Sequence, residues 1–355
     1  MRLFSRYFSR HISHHILLGL LVSTAGGALC AWLHTPLPWI IGPLVAMALC
    51  NFSGAQLAAP PLGRECGQFL IAIALGLYFT PAVAAEVFGN AWLLLTAAFG
   101  ALGIGVFASR VLIRFAGVDR ATAFFASIPG GATEMANLGD RFGAAVDRVA
   151  IAHSLRILIV VCTIPVMLTL VDIHGADDYR PVRFAFSISG LAVLGAIALS
   201  GGAILQKINF PNPWMMGPLL ATMIVTATGG EWSSLPNLLS NSAQVLIGCA
   251  LGARFSRAAV AGASRFVVVL LITIVLMMLL SVLLALVLAQ LSGTFLPSMI
   301  LAAAPGGIAE MAITARALQL GVALVTAAHV TRVFIIVSLA LPMYRLLQFT
   351  KRPRK

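Results

Sequence analysis

Two glutamates occupy matched positions in a chain that is otherwise poor in charge. Glu134 follows the Pro-Gly-Gly of 129–131, and Glu310 follows the Pro-Gly-Gly of 305–307. A carboxylate in a membrane core is costly unless it is paired or protonated. Such a group can take up and release a proton or ligate sodium, so both glutamates are candidate ion-coupling residues. The structural alternative is that each caps the broken helix or forms a fixed ion pair.

A His-Arg pair follows each of these elements. His153 and Arg156 return as His329 and Arg332, at the same offset as the glutamates. Residues three apart lie on one face of a helix, and Arg can clamp a carboxylate with two hydrogen bonds. The pairs are therefore candidate anion-binding residues. The alternative is that each Arg neutralises a glutamate while the His donates to a backbone carbonyl.

The Pro-Gly-Gly breaks and two matched glutamines complete the candidate site. Pro lacks an N–H and Gly favours other conformations, so the helix must break there, and its new ends suit ions or anionic groups. A turn without a ligand is the alternative for the breaks, and bonding across helices is the alternative for the glutamines. Ion coupling is assigned to Glu134 and Glu310, and substrate binding to Arg156, Arg332, His153, His329, Gly130, Gly131, Gly306, Gly307, Gln68 and Gln244.

The composition places these residues in a membrane. Hydrophobic residues make up 60% of the 355 positions, charged residues 10%, and the mean hydropathy is +1.00. Soluble domains carry roughly 25% charged residues. Charge-free runs at 87–109, 184–206, 208–230 and 266–309 are each long enough for a membrane helix of about 20 residues.

Further matched motifs indicate that the two halves are copies of one unit. Pro-Trp-x-x-Gly-Pro-Leu at 38–44 returns at 213–219, and Gln-x-Leu-Ile at 68–71 returns at 244–247. With the Pro-Gly-Gly elements and the His-Arg pairs, four motifs recur in one order at a nearly constant offset. The predicted organisation is a cytoplasmic N-terminal segment 1–15, a first membrane repeat 16–171, a linker 172–183, a second membrane repeat 184–345 and a basic tail 346–355.

The pattern predicts an all-α membrane protein with about ten transmembrane helices and two broken elements. Each broken element, at 121–140 and 297–316, is either a re-entrant hairpin or a crossing helix unwound at its middle. The predicted helices are 16–33, 38–54, 66–82, 90–114 and 146–171, then 184–206, 213–229, 241–257, 266–290 and 320–345.

Loop charges predict that the two repeats are inverted. Five crossings per repeat collect more of the basic residues on one side than six do, as the positive-inside rule prefers. Equivalent loops also exchange charge, because 81–90 holds only the acid Glu86 whereas 254–265 holds three arginines. Inverted repeats are typical of secondary transporters, whose sites lie at the repeat interface near the midplane.

Several other classes of function are not expected. The net charge of +12 comes from scattered loop residues and the tail 351–355, which is the pattern of cytoplasmic loops and not of a nucleic-acid surface. The five cysteines stand singly, so neither a disulfide framework nor a metal site is predicted, and no cofactor is expected. No ATP-binding loop of the Walker type occurs, so coupling to an ion gradient is the default.

The chain resembles the AbrB family of bacterial membrane proteins, in its duplicated form. The resemblance is carried by the motifs at 38–44 and 129–135 with their second copies, and it covers most of 16–345. It implies a bacterial inner-membrane protein. Members have been labelled ammonia monooxygenases, regulators of gene expression or transporters, and the resemblance supplies no catalytic residues.

The residues of this chain can be compared with what each of these labels requires. A monooxygenase needs clustered metal ligands, whereas the two intramembrane histidines lie in separate halves, so an enzyme is not expected. A DNA-binding domain is not expected either, because the longest soluble segment is too short to fold.

The sequence therefore predicts a secondary transporter of a small, anionic solute, coupled to a proton or sodium gradient. The chain would be multi-pass, with both termini cytoplasmic. Its expected partners are the solute or ion and membrane lipid, not nucleic acid, and a homodimer remains open. The alternative is a membrane sensor or regulator that affects gene expression indirectly.

Overall fold

Helices account for every regular element in the part of the chain that the computed structural model describes. That part comprises residues 14–173, 175, 186–229, 233–255 and 264–349. Most of the predicted N-terminal segment 1–15, of the linker 172–183 and of the tail 346–355 lies outside the described residues.

The helices follow the predicted elements closely. The first half contains α1 (His14–Trp32), α2 (Pro38–Phe52), α3 (Gly63–Gly76), α4 (Pro81–Gly89), α5 (Ala91–Val111, extended by a π-helical turn at Leu112–Ala116), α6 (Arg120–Ser127), α7 (Ala132–Asp140) and α8 (Val146–Leu170). The second half contains α9 (Ile188–Lys207), α10 (Pro213–Ala227), α11 (Asn237–Gly252), α12 (Ser264–Ser292), α13 (Leu296–Ala303), α14 (Ile308–Ala317) and α15 (Val322–Phe349).

Six of the described helices are long and apolar enough to cross a membrane. They are α1, α5, α8, α9, α12 and α15. Their outward faces are apolar, as on α12, where Ile272 and Leu279 are 61% and 63% exposed. Large contiguous apolar surfaces of this kind fit lipid and not water. The chain therefore has the build of a multi-pass membrane protein.

The predicted count of about ten spans is not confirmed, because four predicted spans are shorter than expected. The segments predicted at 38–54, 66–82, 213–229 and 241–257 form helices of 15, 14, 15 and 16 residues. At about 1.5 Å per residue these helices are shorter than the roughly 30 Å hydrocarbon core of a bilayer.

The chain turns sharply where the third predicted helix, 66–82, was expected to continue. The helix α3 ends at Gly76, and α4 begins at Pro81, after a bend of 92°. Thr80 accepts the N–H of Val83 and so caps α4, with Pro81 at its first position. Residues 81–89, predicted to be a loop, are therefore a helix, and most of the matching segment 257–265 lies outside the described residues.

The two halves exchange helices instead of packing as separate bodies. Helix α3 of the first half packs on α10 of the second, α11 of the second packs on α2 of the first, and α3 and α11 contact each other. Glycines permit these contacts. A Cβ on Gly76 would collide with Thr222, and a Cβ on Gly252 would lie 2.5 Å from the Cβ of Met47. The core is thus shared between the halves.

A close glycine crossing recurs in both halves. A Cβ on Gly42 would collide with the carbonyl oxygen of Gly26 where α2 crosses α1, and a Cβ on Gly217 would collide with that of Gly201 where α10 crosses α9. Small residues at such crossings let two helix backbones approach closely.

Replacing Gly42 by alanine is expected to destabilise the protein by about 1–3 kcal/mol, because the added methyl group meets rigid backbone and the two helices must separate. The matched control is Gly103→Ala in α5, where the methyl group meets nothing within 4 Å. Thermal unfolding in detergent measures both. Equal midpoints for the two variants would contradict the requirement for close α1–α2 packing.

Candidate functional site

The first Pro-Gly-Gly element folds back on itself. A Cβ on Gly139 of α7 would lie 3.4 Å from the ring of Phe125 in α6. In a continuous helix, residues this far apart in sequence would be separated by about 20 Å. At the open end, Oγ1 of Thr122 accepts the N–H of Ala145 at 2.7 Å. The element Arg120–Asp140 is therefore a helical hairpin, named hairpin 1 below.

The second Pro-Gly-Gly element repeats this arrangement. Helices α13 and α14 contact each other, and Oγ of Ser298 accepts the N–H of Gly321 at 3.1 Å. Ser298 and Gly321 stand at the positions that match Thr122 and Ala145 of the first half. The element Leu296–Ala317 is named hairpin 2.

In each hairpin, the glutamate carboxylate packs against the glycine that precedes the second helix. A Cβ on Gly131 would overlap Oε2 of Glu134, and a Cβ on Gly307 would overlap Oε2 of Glu310. Each acid lies in the first turn of its helix. There, free N–H groups and the helix dipole favour negative charge. The missing side chain of each glycine provides the space for the carboxylate.

Glu134 also connects the two halves. Its Oε1 accepts the backbone N–H of Asn212 at 3.0 Å. Asn212 precedes α10 in the left-handed conformation with φ 49°, and the matching Leu37 precedes α2 with φ 51°. Such a conformation is uncommon outside glycine, so its presence in both copies marks a turn of defined shape. In the first copy, the hydrogen bond ties hairpin 1 to the start of α10.

Each histidine contacts a backbone carbonyl in the first helix of its hairpin. Nε2 of His153 lies 2.9 Å from the carbonyl oxygen of Phe125, and Nε2 of His329 lies 3.0 Å from that of Leu301. Both side chains are fully buried, and both contacts span 28 residues of sequence. Since a carbonyl only accepts, Nε2 must carry the proton in each case. This is the backbone contact that the sequence left as the structural alternative for the histidines.

The two arginines are also buried, but they use their guanidinium groups differently. Arg332 donates from Nη1 to the carbonyl of Ala304 at 2.6 Å and from Nη2 to that of Gly306. Arg156 donates from Nη2 to Nδ1 of His153 at 2.9 Å and makes longer contacts, at 3.4 Å, with two carbonyls at the end of α6. Arg332 therefore bonds to the Pro-Gly-Gly turn of hairpin 2, whereas the shortest hydrogen bond of Arg156 goes to His153.

A cavity of about 80 Å³ lies where the two hairpins meet. This volume accommodates several water molecules or one small solute. Its walls include both Pro-Gly-Gly turns, both glutamates and the starts of α7 and α14. The hairpins of separate halves thus converge on one polar cavity.

The cavity gathers eight of the twelve residues predicted for the site. Those that line it are Glu134, Glu310, Gly130, Gly131, Gly306, Gly307, Gln68 and Arg332. The other four, Arg156, His153, His329 and Gln244, lie behind the hairpins or along α11. Of these, Gln244 contacts Oγ of Ser240 at 3.5 Å. The proposed ion-coupling and substrate-binding roles remain predictions.

Sequence reasoning did not single out Arg64 and Asn212, which also line the cavity. Arg64 stands four residues before the matched Gln68, on the same face of α3, which was the available signal. Its counterpart in the second half is Ser240, so the repeat comparison concealed it. Among the described residues, no three His, Cys, Asp or Glu side chains are grouped as metal ligands would be.

Alanine at Gly307 is expected to displace the Glu310 carboxylate from the start of α14, because the methyl group takes the place of Oε2. Losing the contact with the helix dipole costs about 0.3–1 kcal/mol and favours the neutral acid. Labelling of Glu310 by an apolar carbodiimide, read by mass spectrometry, should therefore increase. Gly195→Ala, with open space around the new methyl group, is the control. Unchanged labelling in Gly307→Ala would contradict the geometry.

The chain is similar to a protein family and to proteins of two bacteria. A family model described as "Transition state regulatory protein AbrB" matches residues 39–348. "Uncharacterized protein YhjN" of Bacillus subtilis (strain 168) is 28% identical over 363 residues, covering 94% of this chain and 93% of that protein. "Putative regulator AbrB" of Escherichia coli (strain K12) is 23% identical over 303 residues, covering 85% and 87%.

The match to the family model spans most of the chain, from Trp39 of the first Pro-Trp motif through both hairpins and both His-Arg pairs. The family expected from these motifs is thereby confirmed. This chain belongs to the AbrB family.

Proposed function

We propose that this protein is a secondary transporter of a small, anionic solute, driven by an ion gradient. The observation that carries the proposal is the convergence of two matched carboxylates and two broken helical elements on one cavity. Intramembrane carboxylates mark ion pathways, and broken helices at membrane depth form binding sites. Glu134 and Glu310 would couple the ion, and the hairpin glycines would contact the solute.

The proposed architecture consists of two inverted repeats with about ten crossings in a bacterial inner membrane, with both termini cytoplasmic. Three features support it. Equivalent loops carry opposite charge, each half contains a hairpin of the same build, and the four short helices α2, α3, α10 and α11 pack across the halves. Short helices can cross where neighbouring protein covers their ends, and a shared core lets one repeat move against the other.

The alternative is a membrane regulator, and the names of relatives favour keeping it. The family model and the Escherichia coli protein both have "regulator" or "regulatory" in their descriptions. For this chain, an effect on gene expression would be indirect, through a transported signal or a bound partner protein. We propose transport because the cavity is lined by carboxylate, guanidinium and amide side chains, which can bind ions and small polar solutes.

The test is a flux assay with purified protein in liposomes. Small organic acids are offered under an inward proton gradient, an inward sodium gradient or neither, and uptake is compared with that of protein-free liposomes. Uptake that requires one of the gradients supports the proposal. Absence of uptake for every acid, together with a stable protein partner recovered from the native membrane, would favour the regulator instead.

A further inference from the structure

Two guanidinium groups at the cavity have N–H groups that nothing in the described part of the chain accepts. Arg332 is 4% exposed and lines the cavity, and its Nε has no hydrogen-bond partner even though both Nη atoms hold carbonyls. Arg64 lines the same cavity, and its buried Nε is also without a partner. A buried donor without an acceptor is costly, so these N–H groups point to a missing acceptor.

Two helix N-termini face the same space. Helix α7 has 9 residues, α14 has 10, and the first residues of both line the cavity. Each N-terminus presents free N–H groups and about half a positive charge. The groups that occupy these positions are the carboxylates of Glu134 and Glu310, folded back over Gly131 and Gly307. The two helix N-termini therefore already bind carboxylates, which are those of the protein's own glutamates.

We propose that the cavity binds the carboxylate group of a small organic anion together with protons, the ligand replacing the glutamate carboxylates at the hairpin glycines. This inference rests on the proposed transport function and specifies its substrate class and its coupling ion. With both glutamates ionised, their charges offset the two arginines. With the glutamates protonated, the arginines and helix dipoles leave the cavity positive and in need of an anion.

The same charges disfavour sodium as the coupling ion. A sodium ion beside the glutamates would also face two guanidinium groups and two positive helix ends, which repel it. Arg254, which follows α11, interacts electrostatically with both glutamates as well. On the elements packed around the glutamates, the charged side chains and histidines are Arg64 and Glu65 of α3, Arg120 of α6, Asp140 of α7, Asp147, Arg148, His153 and Arg156 of α8, Arg316 of α14, and His329, Arg332 and Arg345 of α15, with Arg254 after α11. Of these, the two that line the cavity, Arg64 and Arg332, are basic.

The direction of the pH dependence follows from this exchange. Binding of the anion displaces a carboxylate that must then be neutral, so protons are taken up when the anion binds. Affinity therefore rises as the pH falls, by up to tenfold in Kd per pH unit for each linked proton, as linkage requires. The cavity, with a volume of about 80 Å³, accommodates a short acid.

The experiment measures pyruvate binding to the purified full-length protein in detergent by calorimetry, between about pH 5 and about pH 8. Pyruvate is a short carboxylate that stays ionised throughout this range, and pyruvamide is its neutral analogue. We expect tighter pyruvate binding at lower pH, no binding of pyruvamide, and no change when potassium replaces sodium.

Two variants separate affinity from proton linkage. Glu134→Gln/Glu310→Gln presents neutral side chains at every pH, so it should bind pyruvate with the low-pH affinity throughout. Arg64→Gln removes one guanidinium group and its positive charge but neither acid. It should therefore weaken pyruvate binding at every pH and leave the pH dependence of the affinity unchanged.

Pyruvate affinity that is independent of pH in the wild type, absence of pyruvate binding, or binding that requires sodium would each overturn the inference. The flux assay distinguishes this failure from that of the proposed function. Proton-linked binding without flux leaves the site standing and removes transport. Gradient-driven flux with pH-independent binding leaves transport standing and removes the exchange of carboxylates.

Discussion

Liposomes that contain the Glu134→Gln/Glu310→Gln variant are expected to show no net solute uptake driven by a proton gradient. Both carboxylates lie at a cavity that both hairpins line. Glutamine preserves their size but cannot take up or release a proton. The loaded carrier can then form, because glutamine resembles the protonated acid. The release of a proton that must accompany release of the solute is then impossible. Net uptake should fall to the level of protein-free liposomes.

Exchange of labelled solute across the same liposomes provides the second readout. It requires no proton release, so the double variant should retain it while net uptake is lost. The control is Glu86→Gln, which removes a carboxylate from a separate cavity between α4 and α13. That variant should transport normally. Net uptake that survives in the double variant would show that these glutamates do not carry the coupling.

The repeated motifs allowed the sequence to predict where the chain breaks and which residues recur. Pro-Gly-Gly must interrupt a helix wherever it occurs, so the two breaks follow from local chemistry. The choice between a hairpin and an unwound crossing helix did not follow from the sequence. The matched His153 and His329 followed from the constant offset alone. These features depend on neighbouring residues or on comparison of the halves, and both are visible in a single sequence.

Helix ends within apolar stretches were harder to predict. The segment 66–82 reads as one apolar run because Leu77, Tyr78 and Phe79 are hydrophobic, yet α3 stops at Gly76. Gly76, where α3 ends, packs tightly on Thr222 of the other half, a long-range contact that the local sequence does not show. The local signal that was available is Thr80 followed by proline, which caps the next helix.

The part of the site that sequence reasoning missed comes from contacts between the halves. The hydrogen bond from Asn212 to Glu134 joins a loop of the second half to a hairpin of the first. Nothing in the spacing of these residues indicates the contact, since it depends on the exchange of α3 and α11 between the halves. Periodicity identifies faces of helices, but it does not identify the partner that each face meets.

Replacing Arg332 by methionine is expected to lower the stability of the protein by about 3 kcal/mol or more. The substitution removes two charge-assisted hydrogen bonds, to the carbonyls of Ala304 and Gly306, and leaves both acceptors without a donor. Removing a buried charge also relieves a desolvation cost, which can favour an apolar replacement. That gain does not prevail here, because the two carbonyls remain in place and unsatisfied.

Arg156→Met is the matched comparison, and its cost should be smaller, about 1–2 kcal/mol. Its carbonyl contacts are 3.4 Å long, and its short bond goes to Nδ1 of His153, whose own bond to the carbonyl of Phe125 would remain. Thermal unfolding in detergent at one pH measures both variants. If Arg332→Met were as stable as the wild type, the guanidinium would not be bracing hairpin 2. The positive charge of Arg332 would then serve only to bind a ligand. In that case the Arg332→Met variant should bind pyruvate more weakly without any loss of stability.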